Sequence, residues 1–96
     1  MVPANDTDPS LTARLARAKY RAWHRGTREA DYMIGGYFDR YAADWSESDL
    51  IWFESLLDED DVDVMAWALQ TQIVPAEFAG TRMAKMQKLD YVDIPR

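Results

Sequence analysis

The chain has 96 residues, of which 48% are hydrophobic and 12% aromatic, so it is one small folded domain with little room for a deep catalytic cleft. Eleven basic residues against seventeen acidic ones give a net charge of −6, which argues against a nucleic-acid binder because phosphate contacts need clustered Lys and Arg. The absence of cysteine excludes disulfides, thiolate metal sites and a cysteine nucleophile.

In chain order, residues 1–8 are polar with an early proline and read as a tail. Asp8-Pro9 then offers an N-cap and a proline at the first helical position. Leu11, Leu15, Ala18 and Ala22 recur at helical spacing opposite Arg14, Arg17 and Arg21, which predicts a basic amphipathic helix over about 9–24 that Gly26 ends. A second helix is expected from Thr27 or Arg28 to Ala43, with Ala30, Met33, Ile34, Tyr37, Phe38, Tyr41 and Ala42 on one face. Gly35-Gly36 inside it costs roughly 1 kcal/mol per glycine in helix propensity, which suggests that another backbone approaches there. Ser46 caps a third helix bearing Leu50, Phe53, Leu56 and Leu57; the acidic run Asp58–Asp61 caps a fourth bearing Val64, Met65, Trp67 and Ala68. A last helix is expected between Ala76 and Leu89, with Gly80 splitting or delaying it, and residues 91–96 read as a second tail. With no alternating strand runs and no repeats, the expected fold is all-α: one compact bundle of about five short helices over residues 9–90.

Four Trp, five Tyr, three Phe and five Met are a heavy load for so small a core, and the surplus is expected to lie partly exposed, as on a protein-binding face. Charge is unevenly spread. Residues 1–28 hold six basic and two acidic side chains, whereas the remainder holds five basic and fifteen acidic. This polarity suits orientation on a partner, and equally suits docking of the first helix on its own body. No run approaches the length of a membrane span, and MVPANDTDPS has neither a signal nor a transit pattern, so a cytoplasmic protein with no membrane insertion is expected.

Enzyme chemistry finds little support. Counted from Asp58 as a calcium loop, the sixth residue is Asp63 rather than glycine and the twelfth is Leu69 rather than a carboxylate, so DEDDVD reads as acid at a helix N-terminus. His24 is the single histidine, placed where a helix C-terminus favours its protonated form, and no G-x-S-x-G turn surrounds any serine that would pair with it. A hydrolase built on His24 is therefore the weakest reading.

The stretch His24–Asp31, HRGTREAD, is different. Capping explains Gly26 as a helix stop and Glu29 as a first-turn acid; if Gly26 is itself the N-cap, Glu29 stands at the third position and reaches back to a free N–H. Arg25 and Asp31 are left without a role by that reading. A recognition corner, with an arginine before the turn and two acids after it, explains them equally well, and the residues alone leave both open.

Arg25-Gly26-x-x-Glu29-x-Asp31, preceded by Tyr20-Arg21-x-Trp23-His24, resembles the RGxxE signature of the succinate dehydrogenase flavinylation assembly factors. Gly35 with Tyr37-Phe38, then Phe53-Glu54-x-Leu56-Leu57, Asp61-x-Asp63 with Trp67, and Pro75-x-Glu77 continue the likeness over about residues 11–90; Val62 and Gly36 depart from it. The resemblance implies a five-helix bundle that binds the flavoprotein subunit of succinate dehydrogenase, and of the related fumarate reductase, as an assembly chaperone and not as an enzyme. FAD would become attached to a histidine of that partner, with none held stably by this chain. Arg25, Gly26, Glu29 and Asp31 would form the contact surface, with Arg21 and Tyr32 as neighbours. Gly26→Arg and Glu29→Ala would then leave the fold intact and abolish flavinylation, in a protein that is a monomer or a weak dimer. The competing class is a regulatory binding module of the antitoxin type, which the same exposed corner and acidic body would serve.

Overall fold

Five helices carry the chain in the computed structural model, which describes residues 7–92. They are α1 (Thr7–Trp23), α2 (Arg28–Tyr41), α3 (Glu47–Leu57), α4 (Asp61–Ala68) and α5 (Thr81–Gln87), with no strand among the described residues. Helix α1 begins two residues before the expected start, which leaves Pro9 in its first turn, where a missing N–H breaks no helical bond. The expected N-terminal tail otherwise falls on residues 1–6, outside the described residues, as do 93–96 of the expected C-terminal tail.

The stripe predicted for α1 is used selectively. Ala18 and Ala22 are buried, Leu15 is partly covered and Leu11 stays exposed. Small residues at the contact let α2 fold back antiparallel against α1: Trp23 meets Gly35 near the corner, and Lys19 reaches Asp39 one turn further on. Helix α2 ends at Tyr41 and tightens into a 3-10 turn over Ala42–Asp44. The double glycine within it does receive a close approach, from the Trp23 ring at Gly35 and from both the ring and the backbone of Tyr91 at Gly36. A Cβ on Gly35 would stand 2.4 Å from Trp23 Cδ2, and one on Gly36 would stand 3.2 Å from Tyr91 Cδ1 and 3.5 Å from the Tyr91 carbonyl oxygen.

Helix α3 starts with a reciprocal cap. Ser46 Oγ accepts from the Asp49 amide, and the Asp49 carboxylate accepts from the Ser46 amide. Arg82 Nε donates to the same carboxylate at 2.7 Å, and this bond, followed by the one from the Ser46 backbone, holds Asp49 below the usual carboxylate range. The basic face of α1 docks on acids of the body, as its charge allowed. Arg14 bonds Glu54 and Glu47, and Arg21 bonds Asp58, so α3 runs alongside α1 in the same direction.

The aromatic load divides as expected, with part of it buried and Trp23, Tyr32, Tyr41, Trp45 and Tyr91 partly exposed. Tyr37 lies at the centre, with Tyr41, Trp45, Trp52, Phe53 and Tyr91 around its ring. Its hydroxyl donates to the Arg82 carbonyl, so the one polar atom of this buried ring has a partner. Trp67 and Phe78 stack beside this group, and of the aromatic side chains described only Tyr20 is largely exposed. Stacked and edge-to-face pairing is what lets a small core hold so many rings. Tyr91, expected in a tail, belongs to this core: its hydroxyl donates to the Met86 carbonyl and its ring seals the α2 face.

Helix α4 closes with paired bonds from the Thr71 amide to the Ala66 carbonyl and from the Gln70 amide to the Trp67 carbonyl. This motif turns Gln70 to φ +62°, where glycine is the favoured residue. Gln70 is exposed, and Gln70→Gly is expected to stabilise the protein by roughly 0.5–1 kcal/mol, net of the added freedom of the unfolded chain. A urea midpoint that does not rise would contradict this. Gly80, at φ +135°, separates a turn over residues 76–78 from α5, the split that its position predicted. Among the described residues, no helix is long and apolar enough to cross a membrane.

Candidate functional site

The α1–α2 corner is built from the residues of the HRGTREAD stretch, and they divide into two sets. Gly26 sits at φ +121°, a conformation L-residues rarely adopt, which explains why the chain turns there. The N-cap of α2 is Thr27 and not Gly26: Thr27 Oγ1 accepts from the Ala30 amide at 3.2 Å. Glu29 is therefore at the second helical position rather than the third, and no capping box forms.

Arg25 and Asp31, the two residues that capping left idle, face inward. Arg25 has only 10% of its side chain exposed. Its Nε donates to Asp61 Oδ1 at 2.7 Å, while the two terminal nitrogens donate to the carbonyls of Leu57 at 2.9 Å and Glu59 at 3.0 Å. Leu57 ends α3, so this cation satisfies a carbonyl that the helix cannot, at the negative end of its dipole. The guanidinium fork carries a separate nitrogen for each of these three acceptors, which the single nitrogen of an ammonium would not match. Asp31 completes the turn from the other side: its Oδ1 accepts the Arg25 backbone N–H at 2.6 Å.

The acidic run after α3 is thereby engaged by arginines. Asp58 takes Arg21 Nη2 at 2.6 Å and Asp61 takes Arg25, while no group of three potential metal ligands converges among the described residues. Asp60 is the N-cap residue of α4 but makes no side-chain cap bond. His24 is likewise held locally. Its ring stacks on Tyr20 at 3.8 Å, and its Nδ1 donates to the Tyr20 carbonyl at 2.7 Å, which fixes the proton on that nitrogen.

What faces outward is Arg28 and Glu29. Both are exposed, and neither has a side-chain hydrogen bond or ion pair among the described residues. Beside them lies an open concavity of about 590 Å³ walled by Trp23, Arg28, Asp31 and Tyr32. A second, of about 390 Å³, shares Trp23 and Tyr32 and continues along α2 to Arg40 and Tyr91. Trp23 and Tyr32 meet edge to face with ring centres 6.0 Å apart, forming the ridge between the two hollows. This surface offers a carboxylate, a guanidinium and aromatic edges, an arrangement suited to gripping a polypeptide and lacking a nucleophile–base pair.

Of the six residues singled out from the sequence, Gly26, Glu29 and Tyr32 lie on or beside the outward surface. Arg21 lies at its edge in an exposed ion pair, and Arg25 and Asp31 lie beneath it with Asp31 also lining the first hollow. Sequence reasoning missed Arg28, Trp23 and Asp61 as parts of the corner. Arg28 is adjacent to Glu29 and was available to it; Asp61 stood among the later landmarks of the resemblance, but its contact with Arg25 depends on tertiary packing.

Comparison with known proteins identifies the family. Residues 16–90 match the family model described as flavinator of succinate dehydrogenase. A protein of Acetobacter pasteurianus named FAD assembly factor SdhE is 33% identical over 79 residues, spanning 82% of this chain and 72% of that protein. Mitochondrial succinate dehydrogenase assembly factor 2 of Debaryomyces hansenii is 29% identical over 91 residues, 92% of this chain and 64% of its own length. Its counterpart in Saccharomyces cerevisiae is 30% identical over 88 residues, 88% of this chain and 54% of its own length, so the chain spans between about half and three quarters of these relatives. A match over residues 16–90 covers the corner, the second half of α1 and all of α2 to α5, and the chain belongs to the family of succinate dehydrogenase flavinators.

Proposed function

We propose that this protein is an assembly factor that binds the flavoprotein subunit of succinate dehydrogenase and promotes covalent attachment of FAD to a histidine of that subunit. Family membership over residues 16–90 supports the client and the process. The observation that carries the mechanism is the outward corner, where Glu29 and Arg28 are exposed, with no side-chain partner among the described residues, on a turn that Arg25 and Asp31 hold rigid.

The chain acts by positioning and is not itself an enzyme. Covalent attachment needs a deprotonated histidine and a flavin held in attack geometry. A rigid corner that binds the client in the aligned arrangement raises the population of that arrangement, and orientation alone is worth several orders of magnitude in rate. Glu29 and Arg28 would bond complementary charges on the client, and Trp23 and Tyr32 would seat an apolar edge. FAD resides on the client and is not held stably by this chain. The fumarate reductase flavoprotein is a second client of the same chemistry, and the factor works as a monomer or weak dimer when free.

The test is in-gel flavin fluorescence of the succinate dehydrogenase flavoprotein in cells with and without this gene. The covalent flavin signal is expected to fall on deletion and return with a plasmid copy. Undiminished fluorescence in the deletion strain would contradict the proposal.

A further inference from the structure

The acidic run that the sequence read as helix capping has a second use, and it concerns a residue outside the motif. Asp61 lies 36 positions beyond Arg25, in the first turn of α4. One of its oxygens takes Arg25 Nε at 2.7 Å, and the other stands 3.8 Å from where a Cβ on Gly26 would be. Its side chain is only 23% exposed. The carboxylate therefore supports the corner from below, bonded to Arg25 and lying on the side of Gly26 where a side chain would stand. The bonds of Arg25 to the Leu57 and Glu59 carbonyls bind the end of α3 into the same unit.

We infer that Asp61 is a positioning residue for the client-binding corner, and that Arg25 acts through it and not by touching the client. The inference rests on the proposed function and divides the motif. Arg25, Gly26, Thr27 and Asp31 form a frame closed by Asp61, and Arg28 and Glu29 are the groups presented to the partner. Without the Asp61 carboxylate the Arg25 fork loses its one charged acceptor. The turn then samples other orientations, and the fraction presenting Glu29 correctly falls.

The test compares Asp61→Asn with Asp63→Asn in the full chain. Both remove an acid from the first turn of α4 and so lose the same favourable placement against the helix dipole, but among the described residues only Asp61 pairs with an arginine. Two readouts are taken well below the melting transition. One is the factor concentration giving half-maximal covalent flavin attachment to purified flavoprotein, and the other is hydrogen exchange at the Arg25 amide.

Asp61→Asn is expected to raise the half-maximal concentration roughly tenfold with the rate at saturation retained, and to accelerate exchange at Arg25 by a similar factor. Asp63→Asn is expected to do neither, and Asp61→Glu to recover most of the loss. A half-maximal concentration for Asp61→Asn equal to that of Asp63→Asn overturns the inference, as does unchanged exchange. If the wild-type chain has no effect on flavin attachment, the functional reading fails by itself, and the exchange comparison alone decides whether Asp61 holds the corner.

Discussion

Glu29→Ala is expected to leave the free protein folded to within about 0.5 kcal/mol of wild type while slowing covalent flavin attachment on the order of a hundredfold. The carboxylate is exposed and bonds nothing within the described fold, so its removal forfeits only a weak interaction with the α2 dipole. What it removes for the client is one of the two exposed charges at the corner, Glu29 and Arg28, that have no side-chain partner among the described residues. Urea midpoints beside the rate of flavin attachment check both halves of this expectation; full activity in the variant would contradict it.

Gly26→Arg is a less clean probe than the sequence suggested. At φ +121° any side chain carries backbone strain of about 1–3 kcal/mol, so a functional loss in that variant mixes a distorted turn with a blocked surface. The room for a Cβ is adequate, with Asp61 Oδ2 3.8 Å away; the penalty lies in the backbone and not in a clash.

Gly35→Ala is expected to destabilise the protein by about 1–2 kcal/mol, against the ordinary preference for alanine in a helix. Helix propensity alone would favour alanine by about 1 kcal/mol. The new methyl, however, would lie 2.4 Å from Trp23 Cδ2 and 2.5 Å from Cε2, well inside contact distance of a rigid ring. Forcing α1 and α2 apart by that amount costs more than propensity returns. Because Trp23 walls both hollows beside the corner, client binding is expected to weaken as well. Gly36→Ala serves as the comparison: its Cβ would lie 3.2 Å from a ring edge of Tyr91, which yields more easily. A higher urea midpoint for Gly35→Ala would contradict the expected clash.

The helices were legible because their determinants are local. Apolar spacing marked α1 and α2, Ser46 marked α3 through its reciprocal cap, and Gly80 marked the delayed start of α5. The corner was legible as a place and not as an arrangement. Whether an exposed-looking arginine turns inward depends on what packs under it, and the acceptors of Arg25 come from the end of α3 and the start of α4. Gly26 does turn the chain and Glu29 does lie in the first turn of α2, but the alternative that made Gly26 the N-cap fails: Thr27 caps, Arg25 and Asp31 brace, and Glu29 has no side-chain partner among the described residues. Residue counts indicated that part of the aromatic load stays partly exposed, as Trp23, Tyr32, Tyr41, Trp45 and Tyr91 do, but not which rings pair around Tyr37. Tyr91 was missed because a lone aromatic after the last helix has no period to reveal its side.

The direct measurement is covalent flavin formed over time on purified succinate dehydrogenase flavoprotein with excess FAD, in the presence and absence of this protein. Attachment is expected to be fast with the wild-type chain and close to the unassisted rate with Glu29→Ala, although both variants are folded. Equal rates with and without the wild-type chain would contradict the proposal that it aligns the client for flavinylation.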